Sequence, residues 1–207
     1  MNAPALARPP RRTQAERSET MRARLAAAAY EAIASGGLKG LRMRAVAKGA
    51  GVSPGALLHH FPDKNTLILV AIEQALALAR DDSAAWLDRA AGDPEAVLRA
   101  MLSEFRTFFF SDRFWVAMGI TIEASKNDEL FSAVRASVAT LRKPIYAAWS
   151  ERLVAQGWSR EAAMHSVRSG SAMISGAAIR RFWADVDAIT TAIEEEWVAE
   201  RLANRQP

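Results

Sequence analysis

Apolar side chains recur every three or four residues along most of this chain, a spacing that places them on one face of an α-helix. Leu25, Ala29 and Ile33 follow this period near the N-terminus, and Met101 and Phe105 follow it in the middle of the chain. No stretch alternates between apolar and polar residues over the length of a β-strand. The pattern therefore predicts an all-α fold.

Glycines, prolines and capping residues divide this pattern into about nine predicted helices. Gly36 and Gly37 are expected to end the first helix, and Asp63 to begin the fourth. Pro144 lies inside an otherwise helical pattern, so we expect it to kink the seventh helix. The predicted helices cover residues 18–35, 42–50, 53–61, 64–90, 95–110, 112–125, 127–156, 159–184 and 185–204.

The segment 45–64 predicts a helix, a short turn and a second helix. Gly51 follows the first helix and can adopt the positive φ that ends it. Ser53 can cap the second helix, with Pro54 at its first position, where the missing N–H costs nothing. Leu57 and Phe61 are four residues apart and share the buried face. The small residues at the start of the second helix suit entry into the major groove of DNA.

Charge is divided unevenly along the chain. Residues 1–64 contain 11 Lys/Arg and 4 Asp/Glu, whereas residues 65–207 contain 16 Lys/Arg and 19 Asp/Glu. A basic N-terminal third on a mildly acidic body favours a polyanionic partner such as nucleic acid. A solvated basic tail is the alternative that charge alone leaves open.

Residues 18–76 resemble the N-terminal DNA-binding domain of the tetracycline-repressor (TetR) family of bacterial transcription regulators. The residues that carry the resemblance, in the order and spacing of the family, are Arg22-x-x-Leu25, Ala28-Ala29 before Gly36, Val46-Ala47, Ala50-Gly51-Val52-Ser53-x-Gly55, His60-Phe61, Lys64 and Leu67. Two positions depart from the family, which usually has threonine at Arg42 and tyrosine at Leu58. Leucine cannot donate a hydrogen bond to DNA, although it can contact a thymine methyl group.

The resemblance implies three regions: a disordered basic arm at 1–17, a DNA-binding domain at 18–76 with its helix-turn-helix at 42–61, and a larger helical domain for ligand binding and dimerisation at 77–207. The arm could enter the minor groove or have no effect on binding. The expected DNA-binding residues are Arg42, Arg44, Ser53, Pro54, Gly55, Ala56, Leu58, His59, His60 and Lys64.

Three of these residues have other interpretations. Lys64 would hold a phosphate at the start of the fourth helix, and an ordinary surface lysine is the alternative. His59 and His60 are adjacent, so on a helix they point about 100° apart, and no metal site is expected there.

Large apolar residues crowd the fifth to seventh predicted helices. Bulky rings close to Gly119 and to a kink at Pro144 are hard to pack densely, which favours an apolar cavity, with plain core packing as the alternative. The resemblance implies an inducer pocket in this part of the chain. Its expected lining residues are Phe105, Phe108, Phe109, Phe114, Trp115, Met118, Ile122, Tyr146, Trp149 and Met173, and the candidate polar contacts are Tyr146, Arg106, Glu123 and Arg180.

Small residues run through the eighth predicted helix between 166 and 178. A glycine inside a helix costs roughly 1 kcal/mol relative to alanine, so close approach by another helix is expected to offset it. The resemblance implies a dimer formed by the last two helices; the alternative is that the small face packs within its own subunit. The expected interface residues are Val167, Gly170, Ser171, Ile174, Ala178, Ile193 and Trp197.

The composition excludes several classes of protein. The chain has no cysteine, which excludes disulfides, thiolate zinc sites and cysteine nucleophiles. No apolar run is long enough to span a bilayer, so we expect a soluble cytoplasmic protein. Glu194, Glu195 and Glu196 are typical of a solvated helix face, and no catalytic constellation stands out, so neither an enzyme nor a cofactor is expected.

These observations together predict a ligand-responsive transcription regulator. The resemblance implies a repressor that binds a pseudo-palindromic operator as a homodimer, with half-sites about one helical turn apart. An apolar or aromatic small molecule would release it from DNA. The alternative is a constitutive or activating DNA-binding regulator without a small-molecule ligand.

Overall fold

A computed structural model describes residues 13–205 and folds them into helices and short connections, which confirms the all-α prediction for this part of the chain. The helices within the described residues are α1 (Gln14–Gly40), α2 (Met43–Gly49), α3 (Pro54–His60), α4 (Lys64–Arg89), α5 (Pro94–Phe109), α6 (Asp112–Ala124), α7 (Asp128–Ala155), α8 (Arg160–Arg180) and α9 (Asp187–Ala203).

Side-chain caps mark the starts of several helices. The side chains of Ser53, Asp63, Asn127 and Ser159 each accept a hydrogen bond from the backbone N–H three residues further on. Each cap satisfies one of the N–H groups that the first turn of a helix leaves unpaired. At Asp63 the hydrogen bonds from the backbone and hydroxyl of Thr66 hold the pKa of the carboxyl group below its ordinary value.

Helix α1 is longer than predicted at both ends. Thr13 and Glu16 form a capping box in which each side chain accepts from the other's backbone N–H, at 3.2 and 2.7 Å. The helix therefore begins at Gln14, and Arg17, which we expected in the disordered arm, is helical; residues 1–12 lie outside the described part. Gly37 has φ 60° and ψ −169°, so it kinks α1 instead of ending it.

Helix α8 ends earlier than predicted, at Arg180. The backbone N–H groups of Phe182 and Trp183 donate to carbonyl groups three residues back, at 3.4 and 3.0 Å. Such tight turns break the regular helix and leave both aromatic side chains exposed, Trp183 to 77%.

Helix α4 connects the two parts of the molecule. It packs against α1 in the N-terminal part of the chain and against α5, α6 and α7 in the body. It passes through the predicted domain boundary at 76–77 without a break. One continuous cluster of buried residues runs from Leu25 in α1 to Val198 in α9, so the N-terminal helices and the body share a core.

Helix α9 covers the far side of the body, where it packs on α5 and α8. Helix α7 continues through Pro144 over its whole length. No helix among residues 13–205 is both long enough and apolar enough to cross a membrane.

Candidate functional site

The predicted helix-turn-helix is formed by α2, α3 and the turn between them. Gly51 has φ 65°, which lets the chain reverse after α2. Val52 donates its backbone N–H to the carbonyl of Ala47 (2.9 Å), and Ser53 caps α3 by accepting from Ala56 (3.1 Å). Leu57 is fully buried beneath α3. The turn and the cap therefore fix how α3 follows α2.

Two arginines of α1 hold this unit in place. Arg24 donates a hydrogen bond to the carbonyl of Ala50, at the end of α2. Arg22 donates to the carbonyl of His60 (3.5 Å) and stacks on the ring of Phe61, 4.8 Å from its centroid. The turn and the C-terminal end of the helix-turn-helix are thus tied to α1. Arg22 is one of the residues that carry the family resemblance, and Arg24 has no signal in the sequence that predicts this contact.

Helix α3 presents a continuous outer face. Ser53, Pro54, Gly55 and His59 are exposed, and Leu58 is 51% exposed although it is apolar. A Cβ added to Gly55 would have only the hydroxyl of Ser53 within 4 Å, so nothing in the chain covers the start of this helix. The face has the small residues and the free surface that close approach to a DNA groove requires.

The other predicted DNA-binding residues surround this face. Arg42, Arg44 and Lys64 are exposed, whereas Ala56 and His60 are half-buried. Lys64 donates to the carbonyl of Leu38 (3.5 Å) and so folds back toward the end of α1. None of the described residues form a metal-binding cluster of three or more His, Cys, Asp or Glu side chains.

Most of the predicted ligand-binding rings form one cluster in the body. Phe108 and Phe109 pack edge to face with centroids 5.1 Å apart, as do Phe109 and Phe114. Phe105 is linked to Phe109 and to Tyr146 at 6.5 and 6.0 Å. The rings therefore form a buried aromatic cluster.

Two predicted ligand-binding residues lie away from this cluster. Ile122 is 59% exposed on the outer face of α6, because it lies two residues from both Ile120 and Ala124, which face the core. Met173 lines a groove between α8 and α9. Trp115 and Met118 are half-buried and pack on the core, and Trp149 is fully buried.

A charged pair lies beside the aromatic cluster. Glu104 of α5 is 2% exposed and Arg142 of α7 is 7% exposed. Glu104 Oε1 accepts a hydrogen bond from the hydroxyl of Ser83 of α4 and lies 3.7 Å from Arg142 Nη1. Burial raises the pKa of Glu104 above its ordinary value, although the charge of Arg142 and the hydrogen bond from Ser83 oppose the shift.

Sequence reasoning missed this pair, although the pattern contains a signal for it. Glu104 falls within the apolar stripe of α5, three residues after Met101 and four before Phe108. Arg142 likewise falls four residues after Val138 on the buried side of α7. A charged residue in an apolar stripe needs a partner inside the core, and position alone does not say which residue that partner is.

The predicted polar contacts of the ligand site are dispersed. Tyr146 stays at the cluster and shares a hydrogen bond with Ser171 (2.5 Å). Arg106 donates to Glu194 of α9 (2.7 Å), and Arg180 lines the α8–α9 groove. Glu194 is therefore a half-buried interhelical partner. Glu195 accepts hydrogen bonds from both terminal nitrogens of Arg99 but stays exposed, as a solvated face predicts.

Glu123 lies in a different place, a cleft of about 830 Å³ between α1, α4 and α6. It accepts from Lys126 (2.5 Å), and this hydrogen bond together with the charges of Lys126, Lys64 and Lys39 holds the pKa of Glu123 below its ordinary value. The side chain faces the N-terminal helices and not the aromatic cluster.

The packing of α8 within the subunit buries most of the predicted dimer-interface residues. Gly170 lies against Leu102 of α5 and Trp197 of α9, and Trp197 donates its indole N–H to Ser169 (3.1 Å). This small face is occupied within the subunit, as the alternative proposed, because α5 and α9 both need close approach to α8. The predicted interface residues that are buried in this way are Val167, Gly170, Ser171, Ile174, Ala178 and Trp197.

A different face of α8 and α9 is open. A groove of about 290 Å³ between these helices is lined mainly by apolar side chains, among them Met173 and Val186. Ile189 and Ile193 rise beside it and are 56% and 43% exposed. Of the predicted interface residues, Ile193 is thus the one on a free surface.

Comparisons with known proteins agree with this architecture. Residues 25–71 match the family described as bacterial regulatory proteins, tetR family. The chain is 31% identical over 175 residues to the HTH-type transcriptional regulator CymR from Pseudomonas putida, covering 84% of this chain and 86% of CymR.

Solved structures show the same fold. A protein from Saccharomonospora viridis, in complex with choline, has a TM-score of 0.63 and 19% identity, covering 90% of this chain and 97% of that one. RolR in complex with resorcinol has a TM-score of 0.58 and 20% identity, with 94% and 98% covered.

Proposed function

The chain belongs to the tetR family of bacterial regulatory proteins, which are DNA-binding transcription regulators and not enzymes, and we propose that it represses transcription as a homodimer bound to a pseudo-palindromic operator. Residues 18–76 would form the DNA-binding domain and residues 77–207 the domain for ligand binding and dimerisation. An apolar or aromatic effector bound in the body would release the protein from DNA.

One observation carries the assignment of the DNA-binding surface: α3 buries Leu57 and leaves Gly55, Leu58 and His59 uncovered. A helix held rigidly by its own turn and by α1, with small residues at its exposed start, meets the steric requirement of a recognition helix. Arg42, Arg44 and Lys64 flank it and would bind phosphates on either side of the groove.

The α8–α9 groove supports the homodimer. Ile189 and Ile193 are too exposed to belong to the core of one subunit, and the groove beside them is apolar. An isologous contact about a two-fold axis would cover both with the same residues of a second copy. Two copies of α3 related by that axis would then read two half-sites.

The aromatic cluster supports the effector site. Its rings come from α5, α6 and α7, and the buried polar group beside it includes Ser83 of α4. Helix α4 also packs against α1. A ligand that changes the packing around Ser83 would therefore act on a helix shared by both proposed domains. Ligand and operator would then weaken each other's binding by the same factor, which corresponds to a coupling free energy of typically about 1–3 kcal/mol.

Selection of bound fragments from genomic DNA tests the proposal. We expect the purified protein to enrich a pseudo-palindromic site, to bind it as two subunits, and to lower transcription of a reporter placed behind that site. The Gly55→Glu variant places a bulky negative charge on the exposed start of α3 and is expected to fold normally but lose binding. Equal affinity of the wild-type protein for selected and bulk DNA would overturn the proposal.

A further inference from the structure

The effector site contains a buried guanidinium group whose hydrogen-bonding capacity is largely unused. Arg142 lies in the core at 7% exposure, and neither terminal nitrogen has a hydrogen-bond partner among the described residues. Its distance of 3.7 Å to Glu104 is longer than a hydrogen bond. Glu104 Oε2 and Trp149 Nε1 are also buried without a partner at hydrogen-bond distance, although Trp149 and Arg142 are near enough to lower the pKa of Glu104. Buried polar groups are normally hydrogen-bonded, so this arrangement lacks a component.

The surroundings of Arg142 restrict what that component can be. The guanidinium carbon lies 4.4 Å from the ring centroid of Phe108 and 5.2 Å from that of Tyr146, with Phe109 at 5.8 Å. The rings stabilise the cation and give its neighbourhood an apolar character. The two terminal nitrogens of a guanidinium group present their N–H groups in one plane, which matches the two oxygens of a carboxylate.

We propose that the effector is an organic carboxylate with an apolar body, and that Arg142 binds its carboxylate group while the aromatic cluster contacts the rest. The inference rests on the proposed effector site in the body. It adds the charge of the ligand and the residue that recognises it.

A cationic effector would have to use Glu104 instead, and the contacts make this the weaker choice. One oxygen of Glu104 already accepts from Ser83, so a single acceptor is left. Burial also raises the pKa of this carboxyl group and so favours its uncharged form, which attracts a cation less. Arg142 offers two nitrogens and a permanent charge.

A carboxylate at Arg142 would also explain how the site communicates with DNA. The ligand would replace Glu104 as the counter-ion of Arg142, and the other contact of Glu104 is Ser83 of α4. Helix α4 begins at Lys64, about 28 Å away along the helix axis. A change at Ser83 on ligand binding would therefore act on α4, the helix that also packs against α1 of the proposed DNA-binding domain.

Matched ligand pairs test the charge of the effector without any mutation. We would measure binding to the full-length protein by calorimetry and thermal shift for benzoate and benzamide, phenylacetate and phenylacetamide, and hexanoate and hexanamide, with benzylamine as the cationic probe. We expect at least one carboxylate to bind ten-fold or more tightly than its amide. No preference for the carboxylate in any pair, or preferential binding of benzylamine, overturns the proposal.

Variants test the role of Arg142. Arg142→Lys keeps the charge and removes the planar pair of donors, and the double variant Arg142→Met with Glu104→Gln leaves no buried charge unpaired. Both are expected to lose the preference for the carboxylate, whereas Arg106→Met, which removes the arginine paired with Glu194, is expected to keep it. An unchanged preference in folded Arg142→Lys would contradict the assignment, and if the variants fail to fold, the ligand pairs still decide.

Operator binding is measured separately in the same preparations. Loss of the carboxylate preference in a protein that still binds its operator would reject this inference alone. Failure to bind any operator would reject the proposed function instead.

Discussion

Gly170 of α8 lies against the indole ring of Trp197 of α9, so that a Cβ at this position would be 3.3 Å from Trp197 Cζ2. The same Cβ would be 3.1 Å from Leu102 of α5. The glycine therefore permits three helices of one subunit to meet, which is why the small face of α8 is not available to a second subunit.

Enlarging Gly170 is expected to destabilise the folded subunit. Gly170→Val would force its side chain into Leu102 and Trp197 and should lower the free energy of unfolding by about 1–3 kcal/mol. Urea denaturation measures this difference. Gly119→Ala is the matched control, because nothing lies within 4 Å of a Cβ there, and it should raise the free energy of unfolding by about 0.5–1 kcal/mol. Equal effects of the two changes would contradict the packing described for α8.

The two glycines of the helix-turn-helix are expected to respond differently to alanine. Gly51 has φ 65° and a Cβ there would lie 3.1 Å from Arg24, so Gly51→Ala should cost about 1 kcal/mol or more of stability. Gly55 is in α3 and has open space, so Gly55→Ala should leave the folded state intact. Its effect should appear in DNA affinity instead, which fluorescence anisotropy with the selected operator would detect. Destabilisation by Gly55→Ala would argue against an uncovered start of α3.

The phosphate contact proposed for Lys64 predicts a change in salt dependence. Each phosphate contact contributes about 0.9 to the slope of log K against log salt, so Lys64→Gln should reduce the slope of the dimer by about twice that amount. Lys126→Gln is the control, because Lys126 lies across the cleft and pairs with Glu123. An unchanged slope for Lys64→Gln would mean that this lysine is an ordinary surface residue and does not contact a phosphate.

The open face of α8 and α9 predicts the effect of a charge at the proposed subunit interface. Ile193→Glu should convert the dimer to a folded monomer, because a carboxylate would lose its water on association without gaining a partner. Light scattering coupled to gel filtration gives the mass, and circular dichroism verifies folding. Ile122→Glu, at a residue that is also an exposed isoleucine but lies on α6, should leave the mass unchanged. A dimeric Ile193→Glu would place the interface elsewhere.

The raised pKa of Glu104 predicts a dependence of stability on pH. Because burial favours the protonated form in the folded protein, the folded state binds a proton at a pH where the unfolded chain does not. As the pH falls from neutral toward about 4.5, wild type should therefore gain stability relative to Glu104→Gln, which cannot titrate. Denaturation of both proteins at several pH values measures the difference. Parallel curves of unfolding free energy against pH for the two proteins would contradict the raised pKa of Glu104.

The helix-turn-helix is the part of the site that the sequence predicts best. Gly51, Ser53, Leu57 and Phe61 act through local rules of turn, cap and period, and the structure places them as expected. Arg24 was missed because its partner is a backbone carbonyl 26 residues away, which has no signature in the sequence.

The body of the molecule shows the limits of the same reasoning. The helices and their apolar stripes are predictable, because helix period and capping depend on neighbours a few residues away. The pattern could not say that Ile122 faces outward, or that Met173 belongs to the α8–α9 groove instead of the aromatic cluster.

The sequence by itself determined the all-α fold, the helix boundaries to within a few residues and the family, because each depends on local spacing. The tertiary structure decided which neighbour covers each face. It joined Glu104 to Arg142 and Ser83 across three helices, and it turned Gly170 inward and Ile193 outward. Both faces of α8 contain small residues, and the packing of α5 and α9 against one of them leaves the other exposed.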